Sequence, residues 1–491
     1  MGGQPSRRQF LETGAGLAAG ALLGGSRAGG EEPPAPAADP PTQAPQGQSP
    51  LDRVVIEPST LVGKEGFFRV GKSTKGRWWL IRSDGKPFLY RGVCALWMPA
   101  GGPGSEALAF RQHWEEKNGK DEEKLIAHCL GILRDLGFNA LGEWATPIYY
   151  NRGWPYTVLI HVRQVRKESN LTPKHPDIFC PLWEKAYDAR CRELCTPLAD
   201  KKDLVGYFVD NEGGWAQARR DFVWGQDAGP LVDRNVLGKE PLLLQMFLTA
   251  DPQRPAHKAA WDWVLARHGG NVKQLASDWG ADFDSPAKLR ELHDKGLALA
   301  SKAFGVDQDA FTTYFVQEYY RKTAEAIRRH DPNHLLLGCR YGGPPGEVVM
   351  KSYDRRHVDV VSFNNYRTNF KERADEYYKH TQMPMLNGEF SWASGGFVDW
   401  NKLQARKSFG EEERETCRRK GTTALEEAFT HPGLVGYTWY KFCYRFPSPD
   451  DPTYGLIDPS GQRSRFNEQM FRKIHPRLEA IACGELEPGK A

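Results

Sequence analysis

Eight short apolar runs, most of them separated by helix-patterned segments, constrain the fold of this 491-residue chain more than any other feature. They are "FLYRGV" (88–93), Asn139–Glu143 in "LGFNALGEW", "PYTVLIHV" (a strand over 156–162), "LVGYFVDNE" (204–212), "LLLGCRY" (335–341), "VDVVSFNNYR" (358–367), "MPMLNGEFSW" (383–392) and "LVGYTWYKF" (434–442). Between them lie helical patterns such as Glu122–Leu136, stopped by Gly137, and "FTTYFVQEYYRKTAEAIRRHDPNH". Strands that alternate with helices pair in parallel, because each crossover returns the chain to the same end of the sheet. Eight such units, with polar residues at the strands' C-terminal ends, predict an α/β fold of the (β/α)8 TIM-barrel type whose active site lies at that end. A doubly wound open sheet shares the alternation. Neither a GxGxxG after the first strand nor a Walker sequence is present to recommend it.

The rest of the chain divides around this unit. "SRRQFLETGAGLAAGALLGG" begins at Ser6 and resembles a twin-arginine export signal: Arg7 and Arg8, then an aromatic and a leucine, then a mildly apolar stretch. Thr13–Gly25 is too short to span a bilayer. Residues 1–30 read as that signal and 31–50 as a Pro/Ala-rich linker without enough apolar surface to order itself. Residues 51–87 read as an N-terminal β-hairpin segment packed on the barrel. The catalytic barrel then occupies 88–480, with a helical insertion near 213–310. An exported chain, periplasmic or secreted, is expected, with no integral membrane segment once mature. Twin-arginine substrates usually fold before export, which accommodates nine scattered cysteines without a CxxC pair. Cys191 and Cys195, four apart on a helix, read as packing thiols. A net charge of +4 gives no reason to expect a nucleic-acid partner. Oligomeric state is not readable.

Carboxylates are expensive to hold near a core, so the strand ends repay attention. Glu212 closes the fourth strand and Glu389 the seventh, and in an eight-stranded barrel these face each other across the mouth. Two carboxylates so placed can straddle one bond. Retaining glycoside hydrolysis needs a pair roughly 5–5.5 Å apart, one acting as proton donor and one as nucleophile. The 15 tryptophans suit sugar rings equally well as they suit an aromatic core.

"GYFVDNE" (206–212) and "NGEFSW" (387–392), supported by "PYTVLIHV", "LGCRY", "VVSFNNYR" and "YGLIDPSG" (454–461), resemble glycoside hydrolase clan A. The likeness is greatest to the catalytic barrel of the β-agarases, with the clan's β-galactosidases next, and covers roughly 88 to 465. The resemblance implies Glu212 as general acid/base and Glu389 as nucleophile. It also implies that Asn211 hydrogen-bonds the sugar 2-hydroxyl, that Tyr366 hydrogen-bonds the nucleophile, and that Trp439 floors the cleavage subsite. "NEGGW" departs from the proline or bulky residue that more often follows the acid.

Other candidates come from strand position. Regular alternation would put Asp210 and Glu212 on one face and Asn211 on the other, with Asp210 as an internal ion-pair partner. Glu143 and Arg340, ending strands two and five, are substrate-binding candidates. Arg340 reads first as fixing a nearby carboxylate and second as binding an anionic sugar group. His161 reads as a core histidine, and Trp215, Trp392 and Trp400 as possible stacking platforms. The expected function is an exported retaining hydrolase of β-linked galactose-containing polysaccharide or oligosaccharide, with no metal or cofactor. A β-galactosidase, a mannan or glucan hydrolase, a transglycosylase and a catalytically inactive carbohydrate-binding barrel are the alternatives.

Overall fold

A computed structural model describes residues 49–96, 106–215, 230–234 and 242–490. The expected signal and all but the end of the linker lie outside them. The protein is a mixed α/β structure built on one curled parallel sheet of ten segments. The segments belong to eight strands: one is Tyr90–Val93, two Ala140–Leu141, three Tyr156–Leu159 and four Leu204–Phe208 with Asp210–Asn211. Five is Leu335–Leu336 with Cys339–Tyr341, six Val361–Asn365, seven Met385–Phe390 and eight Leu434–Trp439.

Strands four and five are each interrupted, which is why eight strands make ten segments. Their first halves pair Leu335 with Gly206 and Leu336 with Tyr207, and their second halves pair Cys339 with Asp210 and Arg340 with Asn211. The break is bridged by Leu337 N–H to the Tyr207 carbonyl (2.8 Å) and Val209 N–H to that of Gly338 (3.0 Å). Gly338 sits there at φ +66°, a left-handed conformation that interrupts a strand. The sheet order begins and ends on these same two strands, a pattern consistent with a TIM-like barrel.

The strands' N-terminal ends carry a layer of Val205, Leu335, Val360, Leu386 and Val435. Phe68, Val70, Trp78, Leu80 and Phe88 belong to the same apolar cluster. They come from a separate three-stranded antiparallel sheet, Arg69–Lys72, Trp78–Ile81 and Pro87–Phe88, which covers that end of the sheet. Buried Arg77 fastens it, donating to the carbonyls of Phe429 (2.9 Å), His431 (2.7 Å) and Leu434 (2.7 Å) at the start of strand eight. A second, larger core lies between sheet and helices.

Four helices between 243 and 294 precede the long helix Lys302–His330. Two of them, Pro255–Arg267 and Val272–Trp279, are tied to it by Asp307, which accepts from Trp279 Nε1 (2.8 Å) and Arg267 Nε (2.9 Å) and lies 2.8 Å from His268 Nε2. Among the described residues no helix is long and apolar enough to cross a membrane.

Candidate active site

Strand four ends in a turn that abandons strand alternation. Asp210 is buried and its Oδ2 accepts from Arg163 Nε at 2.9 Å; the same guanidinium donates to the Asn211 carbonyl. Glu212 then takes φ +50°, a left-handed conformation costing about 1–2 kcal/mol for a residue with a Cβ. Its N–H donates to the Arg340 carbonyl at 2.8 Å, so strand five holds the turn. Asp210 and Glu212 therefore do not share a face. Instead Asn211 and Glu212 meet one amide: Asn364 Nδ2 donates to Glu212 Oε1 (3.0 Å) and Asn211 Oδ1 (3.2 Å).

Strand seven reaches the same place through a bulge. Asn387 pairs with Phe363, but Glu389, not Gly388, pairs with Asn364. One extra residue on one strand re-aims the side chain that follows it. The extra residue must be glycine. A Cβ on Gly388 would stand 2.5 Å from Arg340 Nε and 2.8 Å from Asn364 Oδ1.

Glu389 is 1% exposed. The Tyr366 hydroxyl donates to its Oε2, and Arg340 Nη2 lies 3.1 Å from its Oε1. Burial pushes the Glu389 carboxyl up to about 7; Arg340 opposes this, the negative charge of Glu212 adds to it, and the Tyr366 hydrogen bond opposes it. The two strand-end glutamates thus feel each other's charge. Arg340 is fully buried, donates to the Gly388 carbonyl (2.6 Å), and stacks its guanidinium 4.7 Å from the Trp144 ring. Its Nε lies 3.6 Å from Oε2 of Glu143, a buried carboxyl whose pKa burial raises and Arg340 lowers.

The aromatic candidates separate by one residue of phase. Trp439 and Trp392 do not reach this cluster. Trp439 is fully buried between strand eight and the helix Arg465–Ala482, 4.5 Å from the Trp392 ring and 5.0 Å from Phe471. Its indole N–H donates to the Tyr454 carbonyl, and that of Trp392 to Asn467 Oδ1. The next residue, Tyr440, is the one beside Glu389. Tyr440 is half-buried, and its ring stands edge-on to Trp144 (6.2 Å), Tyr366 (6.1 Å) and Tyr454 (5.9 Å). Trp215 packs against Tyr319 and Tyr341 beside the long helix, and Trp400 is half-buried on a separate apolar cluster with Leu403 and Phe409. His161, half-buried after strand three, is pushed down to about 4 by burial. Among the described residues no cluster of side chains is placed to hold a metal ion.

Asn364, Arg163 and Tyr440 escape a reading of the sequence by strand ends alone. Asn364 and Tyr440 were open to it. In "SFNNYR" the period of two puts Ser362, Asn364 and Tyr366 on one face, and in "TWYK" it puts Tyr440 with Thr438. Arg163 comes from a turn after strand three, and no local pattern points it at Asp210.

No family model matches the chain. In sequence it is similar to beta-agarase B of Vibrio sp. (strain JT0107), 26% identical over 341 residues that make up 65% of this chain and 32% of the relative. Beta-agarase A of the same strain is 24% identical over 337 residues, 63% of this chain and 31% of the relative. The chain thus spans about a third of the length of the curated relatives it matches. Among solved structures, an exo-beta-agarase superposes with a TM-score of 0.65 at 15% identity, covering 88% of this chain and 69% of that one. Another agarase does so with a TM-score of 0.61 at 18% identity, covering 86% and 66%. The chain is therefore similar in sequence to two beta-agarases and shares its fold with solved agarases.

Proposed function

We propose that the chain is a retaining glycoside hydrolase of clan A type. It would cleave β-linked galactose-containing chains, agar first, by double displacement at the mouth of a closed (β/α)8 barrel. One observation carries the reading: two glutamates end strands four and seven around Arg340, whose carbonyl takes the Glu212 N–H at 2.8 Å and whose Nη2 lies 3.1 Å from Glu389 Oε1, and their surroundings are unlike. Glu389, held by the Tyr366 hydroxyl and Arg340, is fitted to be the nucleophile; half-buried Glu212, held by an amide, is fitted to move protons. The similarity to two beta-agarases favours agar over other galactans.

In the first step a Glu389 oxygen attacks the anomeric carbon, the bond to the leaving oxygen breaks, and Glu212 gives that oxygen its proton. In the second, water gives a proton to the Glu212 carboxylate and attacks the same carbon, and Glu389 departs as a carboxylate. Asn211 hydrogen-bonds the 2-hydroxyl. Arg340 and Tyr366 favour the ionised Glu389 that attack requires, against the burial that disfavours it. The wall for the sugar face falls to Tyr440 and Trp144 instead of Trp439. Nothing in this scheme needs a metal or cofactor.

The purified protein is incubated with agarose, other galactans, mannan and glucan, and reducing ends are followed beside Glu212→Gln and Glu389→Gln variants. Product from agarose with the anomeric configuration retained, and lost in both variants, is the expected result. Product from another glycan keeps the mechanism and discards agar. Activity that survives both substitutions refutes the site. Export by the twin-arginine route completes the proposal, and it fails if lysine at both Arg7 and Arg8 leaves export unchanged.

A further inference from the structure

Arg340 serves two carboxylates. Its side chain is fully buried, with Nη2 3.1 Å from Glu389 Oε1 and Nε 3.6 Å from Glu143 Oε2. Each glutamate is 1% exposed. Two carboxyl groups and one cation have therefore left water together, and a charge so placed is tolerated only with a partner.

Turnover changes that balance. When the Glu389 oxygen bonds to the anomeric carbon, the carboxylate becomes a neutral ester, while Arg340 stays a cation away from water. From this geometry we infer that Glu143 is a positioning residue, the standing counter-ion of Arg340, and that it competes with Glu389 for the guanidinium without touching the sugar. The inference rests on the hydrolase reading for its role in turnover, but the competition itself needs only the three side chains.

Among the described residues, the remaining groups around the pair do not supply a rival cation. Glu389 also faces Glu212 from strand four, Tyr366 after strand six, Tyr440 after strand eight and the buried Cys94 after strand one. Glu143 also faces Tyr90, Tyr150 and Cys94. Removing the charge of Glu143 should thus give Glu389 the whole of Arg340 and remove a like charge, so that Glu389 keeps its negative charge to lower pH.

The test is urea unfolding of the full chain at several values from about pH 5 to 8, with and without Glu389→Gln, in the native and Glu143→Gln backgrounds. The stability difference made by Glu389→Gln grows with pH and levels off as the folded Glu389 carboxyl ionises, and that bend gives the midpoint of the carboxyl's titration. In the Glu143→Gln background the midpoint is expected to fall by about half a pH unit or more, with the acidic limb of kcat/KM on agarose moving the same way. Glu143→Asp, which keeps the charge but withdraws it from Arg340, is expected to move the midpoint in the same direction by less, and it stands in should the Gln variant not fold. An unmoved midpoint overturns the inference. A moved midpoint in a chain that releases nothing from agarose supports the competition for Arg340 and refutes the agar reading instead.

Discussion

Replacing Glu389 with glutamine should make the protein more stable, and by an amount that depends on pH. The folded-state carboxyl titrates near 7 against an ordinary value of 4.5. At about 1.36 kcal/mol per unit, holding it ionised in the fold costs about 3 kcal/mol. The sign follows from proton counting. Between the two values the folded protein binds more protons here than the unfolded chain, so stability falls as pH rises through that window. Below 4.5 the carboxyl is neutral in both states and nothing is lost. Glutamine has nearly the shape of the protonated acid and cannot ionise. In urea denaturation the variant should match the native protein within about 1 kcal/mol at acidic pH and exceed it by about 3 kcal/mol once pH is well above 7. Hydrolysis should fall at least about a thousandfold over the same range. A gain equal at both ends of the pH range, or a loss that grows with pH, would refute the reasoning. The first would mean that Arg340 and Tyr366 offset burial and that Glu389 ionises like an exposed carboxyl, the second that they outweigh it.

Three further outcomes are expected. Gly388→Ala should cost about 1–3 kcal/mol in denaturant unfolding and most of the activity, because its Cβ displaces Arg340 or Asn364 and with them one of the glutamates. Tyr366→Phe removes a hydrogen bond that favours ionised Glu389, so the acidic limb of kcat/KM should move to higher pH and activity near neutrality should fall about 10- to 100-fold; an unmoved limb would count against the contact. Trp439→Ala should destabilise by about 3–5 kcal/mol, as for any large buried aromatic, whereas Tyr440→Ala should chiefly raise KM with a smaller loss of stability. The reverse pattern would return the sugar-facing role to Trp439.

What the sequence makes legible here is position along a strand, and what it hides is phase and partnership. Glu212, Glu389, Tyr366 and Arg340 can be read as strand ends because an apolar run and its polar terminus are local features. The structure gathers all four around one place. Which way a terminal side chain points is another matter. The bulge at Gly388 and the left-handed turn at Glu212 shift the count by one, and neither follows from a period of two. Trp439 shows the same shift. Val435 faces the inner layer, the pairing of strands seven and eight slips by one residue after Leu434, and Trp439, of the same parity as Val435, comes to lie against the helices. Partners such as Arg163 for Asp210 depend on where a turn from another strand comes to rest, which only the assembled sheet decides.

The cover over the N-terminal end of the sheet sets an order in time. Arg77 lies 352 to 357 residues before the carbonyls it binds. At translation rates of about 5–20 residues per second, that separation corresponds to about 20–70 s between the synthesis of the two halves of the contact. Throughout that interval the growing chain carries Phe68, Trp78 and Leu80 with no strand eight to close over. A ribosome that stops short of Leu434 would release a chain with one apolar face of its first sheet still uncovered, a natural target for chaperones. Quality control that waits for folding before moving such a chain onward would, in effect, be waiting for its last strand.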